Sequence, residues 1–502
     1  MGQGKRAHDP QAAGLSGPEQ AGSRALPPDP LLGKMLRTVP RRYRLPPIDF
    51  ASFPVRDASP STALAITIER AREALARGHV PDAALKHVFV EALARLIHDA
   101  MRPKSGDPVF QAMVLRHRMS QVRQYASLAA HAEQDRRLVR AAVNAVAHPA
   151  RQRRILPGPQ REALARLHAF AASESWPALY AAVQRLLAMP EIAAEAPFER
   201  GLMRLLDHPA LERLRHLQAL AQDAAVRQYL SLCERYGPRS GTAMAAAQGA
   251  ASQRRGAAVE ALAMQGLEVL ARRLEAQEAA APYRVVTSMR VPASIAASRE
   301  RAKGEWDAVL LRHAGTVDRT TVWDVCLLVE AKASVDAAST DLPRLLRGLR
   351  LLAHAEDNVV YPFATRQGTV HLRGACLRAL TTDEAGLART VLYCCDAPAE
   401  ASPRLLGAAS RMQLLSAQAS LEFAAILAEK QDADPQSLVP VWYRLSESPG
   451  WRGVLHQYPM LRRVRELMVH ADDLLAAGNG ADDPGSAGQD INAAHGLARP
   501  PS

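Results

Sequence analysis

Cysteine is scarce in this chain and its spacing carries no pattern. Five cysteines, an odd number, stand among 502 residues; none forms a C-x-x-C pair, and Cys394 and Cys395 are adjacent. That argues against a disulfide framework or a zinc site and fits a reducing, cytoplasmic setting. Aromatic residues are thin at 5%, so the core must be largely aliphatic. No apolar run approaches the length of a membrane span, and none follows the basic Lys5 and Arg6 as a secretory leader would require. A P-loop, a dinucleotide glycine fingerprint behind a strand and a G-x-S-x-G elbow are all missing, so neither ATP nor NAD use has a signature. Eight alternating strand–helix units cannot be found either. This disfavours a metabolic enzyme such as a sugar-phosphate synthase of the 3-deoxy-heptulosonate-phosphate type, which needs a (β/α)₈ barrel.

What the chain has in quantity is Ala, Leu and Arg. Hydrophobic residues make up 48%, and Lys+Arg number 63 against 51 for Asp+Glu, a net charge of +12. The basic residues are nearly all Arg, which suits phosphate contact, although a coding bias toward Arg and Ala accounts for the charge equally well. Residues 1–30 and the tail 476–502 are low in periodicity and are expected to be disordered. Residues 31–237 read as an α-helical domain. Leu85, Phe89, Leu93, Leu96 and Ile97 share one helical face, as do Leu211, Leu214, Leu217, Leu220 and Ala224. His117, His131, His148, His168 and His216 lack any metal-ligand spacing there.

The small, Gly-dotted stretch 238–255 reads as a linker, and the pattern then changes. Residues 256–274 form an amphipathic helix. Tyr283–Val291, Trp306–Arg312 and Val322–Lys332 read as strands, Leu342–Ala355 as a helix, and Thr369–Leu377 and Thr390–Cys395 as two further strands. The implied architecture over 256–400 is a mixed-sheet α/β domain, followed by a helical extension over 401–475. The aromatics around Trp442 and Trp451 fit a hydrophobic cap better than a base-stacking surface.

Within the α/β stretch, acids fall where apolar patterning expects none. Glu260 lies inside the apolar arc of Val259, Ala263, Leu267, Leu270 and Leu274. Asp307 opens one strand, while Glu330 and Lys332 close another as same-face neighbours ~7 Å apart at their Cα atoms. On simple alternation Cys326 and Leu328 share that face. Burying such groups is costly without a partner, and either a divalent cation or mutual ion pairing would relieve it.

Gly256-x₃-Glu260 on a helix, Gly304-Glu305-x-Asp307 opening a strand and Glu330-Ala331-Lys332 closing the next resemble the PD-(D/E)XK nuclease superfamily. The helix–three strands–helix–strands order resembles that family's αβββαβ, restriction-endonuclease-like core. The resemblance covers about residues 254–397 and does not extend to the helical half. It implies a Mg²⁺- or Mn²⁺-dependent nuclease acting on nucleic acid, in particular DNA, with the helical half recognising substrate or a protein partner. Asp307, Glu330 and the Ala331 carbonyl would hold the metal, with Glu260 joining directly or through water. Lys332 would position the attacking water or stabilise charge on phosphate, and Arg344, Arg347 and Arg350 would grip the backbone. The following helix shows Arg where members often carry Gln or Lys, and a loop is expected over His313–Thr321. The competing expectation is a non-catalytic helical interaction protein carrying a degenerate nuclease-like domain. On the nuclease reading, the carboxylates of Glu260, Asp307 and Glu330 should converge within about 5 Å.

Overall fold

The computed structural model describes residues 30–479 apart from positions 51, 154, 194, 238–242, 278–281, 381 and 431. Of the segments expected to be disordered, 1–30 and 476–502, residues 1–29 and 480–502 lie outside the described residues, whereas 476–479 are helical; the first five residues of the expected linker, 238–242, also lie outside. By contacts the chain forms two units. One comprises Pro46–Gln253 with Ser402–Leu461; the other comprises Met1–Leu45, Arg254–Ala401 and Arg462–Ser502.

The first unit is helical. Most of its helices start where the sequence supplies a proline in the first turn or an acidic cap. Asp82 accepts from the Leu85 amide at 2.6 Å, and Asp107 accepts from the Val109 and Phe110 amides ahead of Pro108–Arg118. The stripe read from sequence is buried at Phe89, Leu93, Leu96 and Ile97. A separate core gathers Val139 and Val143 of the Ser120–Ala147 helix with Leu167, Val183, Leu202 and Leu214. At its edge the buried Asp135 is clasped by Arg213 through two bonds. Trp442 and Trp451 are buried, Trp442 packing 5.2 Å from Phe89, so the aromatic segment is core.

The second unit is built on a mixed seven-stranded sheet. Its main elements are helix α1 (Pro30–Thr38), helix α2 (Ala243–Gln277, whose part from Arg254 belongs here), strands β1 (Tyr283–Arg290), β2 (Glu305–Val317) and β3 (Thr320–Ala331), helix α3 (Val335–Leu352), strands β4 (Val360–Thr365), β5 (Gly368–Arg373), β6 (Val391–Cys395) and β7 (Met468–His470), and helix α4 (Ala471–Asn479), with short helices at Gly374–Arg378 and Glu384–Thr390. Residues 243–255, read as linker, are helical; their alanines carry the helix past Gly249. The loop expected at His313–Thr321 is a tight hairpin instead. Strand β2 runs on to Val317, and Asp318 and Arg319, both at positive φ, make the two-residue turn into β3. Two strands were hidden in the sequence: β4, because Pro362 interrupts its pattern, and β7, only three residues long inside a helical stretch.

β1, β2 and β3 are antiparallel neighbours in order, and β6 lies parallel to the second half of β3. The β4–β5 hairpin departs from the open αβββαβ sheet that was expected. β4 meets β1 at Arg290↔Ala364, while β5 lies parallel to the first half of β3 at Val322 and Trp323. The order β2-β1-β4-β5-β3 therefore closes on itself through the β2–β3 pairing, and β6 and β7 branch from it.

One face of the sheet, carrying Ala308, Leu310, Leu327, Val329, Leu392 and Val469, packs with α1, α2 and α4. The opposite face is met by α3, which buries Leu342, Leu345, Leu349 and Leu352. Tyr393, between Leu392 and Cys394, reaches Asp341 of α3 across it.

Candidate functional site

Ala308 and Val329 are opposite one another in the β2–β3 ladder, and both face the apolar cluster beneath α2. Side-chain alternation then sends Asp307 and Glu330, one residue away on each strand, to the α3 side. Further back, a bulge between Leu310 and Leu311 shifts the phase of β3. Cys326 accordingly packs with the α1–α2 cluster and not on the Glu330 face where simple alternation had put it.

Glu330 is wholly buried. Its Oε2 accepts from Lys332 Nζ at 2.9 Å and is also in contact with Lys303 Nζ. Its Oε1 is buried and has no hydrogen-bond partner among the described residues. Burial, aided by the charge of Asp307, pushes the Glu330 carboxyl up to about 8 against the pull of Lys303 and Lys332. Burial alone would lower the Lys332 ammonium, but the carboxylates of Glu330, Asp307 and Asp341 outweigh it and raise its pKa. Lys332 therefore stays charged at neutral pH.

Asp307 Oδ2 accepts from the Ala331 amide at 3.0 Å and from Lys332 Nζ at 3.4 Å. Asp341 Oδ2 lies 3.9 Å from Lys332 Nζ and accepts from the Tyr393 hydroxyl at 3.3 Å, whose pKa burial and the Asp341 charge both raise. Across β1, Ser288 lies between the pairs Thr287↔Ala308 and Met289↔Trp306, at the level of Asp307, with φ of +51°. A left-handed serine inside a strand stores about 1–3 kcal/mol of strain, here beside the acid.

Lys303 reaches Glu330 because its own backbone is held against α3. Its amide donates to the Arg344 carbonyl at 3.1 Å, and Gly348 leaves the room: a Cβ there would come within 2.8 Å of Lys303 Cβ. The chain has only seven lysines, and two of them converge on this one carboxylate.

Asp307, Glu330 and Lys332, singled out in the sequence, thus come together. Glu260 stands on α2, the helix covering the opposite face, and is half-buried. Burial raises its pKa, the Asp307 charge adds to this, and Arg366 and Lys332 oppose. It is in electrostatic reach of Asp307 but does not complete a metal cluster. Among the described residues no group of three His, Cys, Asp or Glu side chains is arranged to hold a metal ion. Of the three acids expected to converge, Asp307 and Glu330 share Lys332, and Glu260 interacts electrostatically with Asp307 and Lys332. Arg344 and Arg350 are exposed, whereas Arg347 Nε donates to the Arg301 carbonyl at 2.9 Å.

Sequence reading missed Lys303, Asp341 and Tyr393. Asp341 directly precedes the expected helix Leu342–Ala355 and lies in the second turn of α3. Lys303 had a weaker signal, as a rare lysine just ahead of Gly304-Glu305. No protein-family model, curated protein or solved structure matches this chain.

Proposed function

We propose that the sheet unit carries a nuclease-like site of PD-(D/E)XK type that hydrolyses phosphodiester bonds in DNA, with the helical unit serving recognition or partner binding. One observation carries the reading: Lys332 Nζ lies 2.9 Å from Glu330 and 3.4 Å from Asp307 where two adjacent antiparallel strands end. The succession α2, β1, β2, β3, α3, β6, with β1-β2-β3 antiparallel and β6 parallel to β3, supports a restriction-endonuclease-like core elaborated by the β4–β5 hairpin.

The donors fit Mg²⁺ or Mn²⁺ in kind. Among the described residues Glu330 Oε1 is a buried oxygen without a partner, Asp307 shares Lys332 with Glu330, and the Ala331 carbonyl would add a further hard oxygen. Such an ion, when bound, acidifies water and neutralises charge on phosphate. The chain's own contribution is clearest at Lys332. Its raised pKa makes it a standing positive charge for a developing phosphate oxyanion, and a poor proton acceptor. The exposed Arg344 and Arg350 would meet the nucleic-acid backbone.

A specific observation favours the second reading, a non-catalytic domain. Lys303 already supplies Glu330 with a second fixed cation. The deciding experiment incubates the full-length protein with labelled DNA and Mg²⁺ or Mn²⁺, with an EDTA control. Metal-dependent cleavage should fall about 100-fold or more in Glu330→Gln and Lys332→Ala, with thermal unfolding still cooperative. No cleavage by the wild type, or cleavage that survives both substitutions, hands the site to the non-catalytic reading.

A further inference from the structure

Four arginines line a cavity of about 950 Å³ between α1, the turn that follows it and the residues leading into β6: Arg37, Arg41, Arg44 and Arg389. Its floor is apolar, formed by Leu36 and Val39 with Cys326 of β3. Cys326 is four residues, roughly 13 Å, back along the strand from Glu330, and it faces the other side of the sheet. The cavity is therefore separate from the acid–lysine cluster.

Elsewhere in the sheet unit Arg42, Arg373 and Arg465 meet the carboxylates of Asp473, Asp324 and Glu400, while Arg273, Arg347 and Arg463 donate to backbone carbonyls; of the cavity arginines, Arg41 is half-buried and the other three are exposed. Among the described residues the four cavity arginines have no carboxylate partner. Arg41 makes one long bond, to the Leu36 carbonyl at 3.4 Å, and its Nη1 is buried without a partner. Burial, and after it the charge of the neighbouring Arg44, lower its pKa. A cluster that leaves four guanidinium forks uncompensated is suited to several negative charges on one ligand. Arginine's planar fork matches phosphate oxygens two at a time. The volume is that of a cavity for a nucleotide-sized molecule, and the apolar floor offers a surface to a base.

We infer that this cavity binds a phosphorylated nucleotide, its phosphates held by Arg37, Arg41, Arg44 and Arg389 and its base laid against Leu36, Val39 and Cys326. Two sources share that chemistry: a free nucleoside polyphosphate and the phosphorylated end of a nucleic-acid strand. The inference does not depend on the acid–lysine site being catalytic.

The test uses the full-length protein in EDTA, which keeps metal chemistry at Glu330 out of the measurement. Calorimetric titration with ATP, ADP, inorganic pyrophosphate and a short oligonucleotide with or without a 5′-phosphate gives the affinities. Maleimide modification of Cys326, followed by peptide mass spectrometry, reports the cavity itself. ADP should bind at least tenfold more tightly than pyrophosphate and slow Cys326 modification at least threefold. Arg41→Ala and the exposed Arg389→Glu should each weaken binding at least tenfold, and Arg389→Glu should leave the melting temperature unchanged. A 5′-phosphorylated strand binding tenfold more tightly than ATP and its unphosphorylated counterpart assigns the site to strand ends. The reverse order assigns it to free nucleotide. The inference is overturned if none of the probes binds, if pyrophosphate matches ADP, or if Arg389→Glu binds like the wild type.

Discussion

Strand β3 buries an acid near each end, and the two are handled differently. Asp324 meets a single arginine, Arg373, whose Nε donates to Oδ1 at 2.8 Å while Nη2 takes Oδ2, so both oxygens are used. Glu330 gives one oxygen to two lysines and leaves the other with no partner. The first arrangement is complete, a bidentate pair whose work is to hold β3 to β5. The second sets two ammonium groups on one oxygen and leaves the other without a partner among the described residues, which a purely structural pair has no reason to do. Burial alone does not separate the two acids; the count of satisfied oxygens does.

The sharpest way to separate them is pH. Glu330 has a folded pKa of about 8, raised above its ordinary value by burial. Between about pH 4.5 and 8 the native protein keeps a proton that the unfolded chain has released. Stability from this group therefore falls as pH rises through that window, by at most about 5 kcal/mol. Glu330→Gln removes the slope, so the gap in melting temperature between wild type and variant should move in the variant's favour from pH 5 to pH 8. Parallel curves would mean that the partnerless oxygen costs nothing.

Removing the completed pair has a smaller effect that does not need pH to reveal it. Asp324→Ala strands Arg373, a third of whose side chain stays in water. The loss should be roughly 2 kcal/mol by urea unfolding, below the cost of breaking a fully buried pair. Smaller again is Gly348→Ala. The new methyl would meet Lys303 Cβ at 2.8 Å and its carbonyl oxygen at 2.9 Å. Overpacking of about 1–3 kcal/mol, offset by about 1 from helix propensity, leaves a net loss of about 1 kcal/mol. An unchanged urea midpoint would mean that Lys303 is not held by α3.

These contrasts also show why only part of the site was legible. Asp307, Glu330 and Lys332 stood out because charge interrupts an apolar strand, a local signal that period-2 patterning exposes. Lys303 and Asp341 reach the same point from a loop and a helix, and their charges look ordinary in their own segments. Asp324 was passed over because its partner lies on β5, 49 residues on. Glu260 could be read as buried, but not which face of the sheet its helix would cover. The succession of strands followed from patterning at β1, β2, β3, β5 and β6. Closure through β4 depends on tertiary pairing at a strand that contains Pro362, which no local pattern announces. The four cavity arginines were invisible as a group in a chain so rich in arginine, because what distinguishes them is that the fold gathers them around one cavity.

The smallest expected effect bears most directly on what Glu330 is for. Lys303→Met keeps much of the side chain's length and apolar bulk but removes one of the two ammonium groups on Oε2, leaving Lys332 as the cation there. If the carboxylate is a metal ligand held in check by Lys303, the variant should need at least threefold less Mn²⁺ for half-maximal thermal stabilisation than the wild type. Glu330→Gln should then show no such stabilisation. This readout does not require DNA or cleavage. If wild type and Lys303→Met are equally indifferent to Mn²⁺, Glu330 is a structural acid like Asp324, its second lysine taking the place of Arg373's second nitrogen, and the non-catalytic reading is the one to keep.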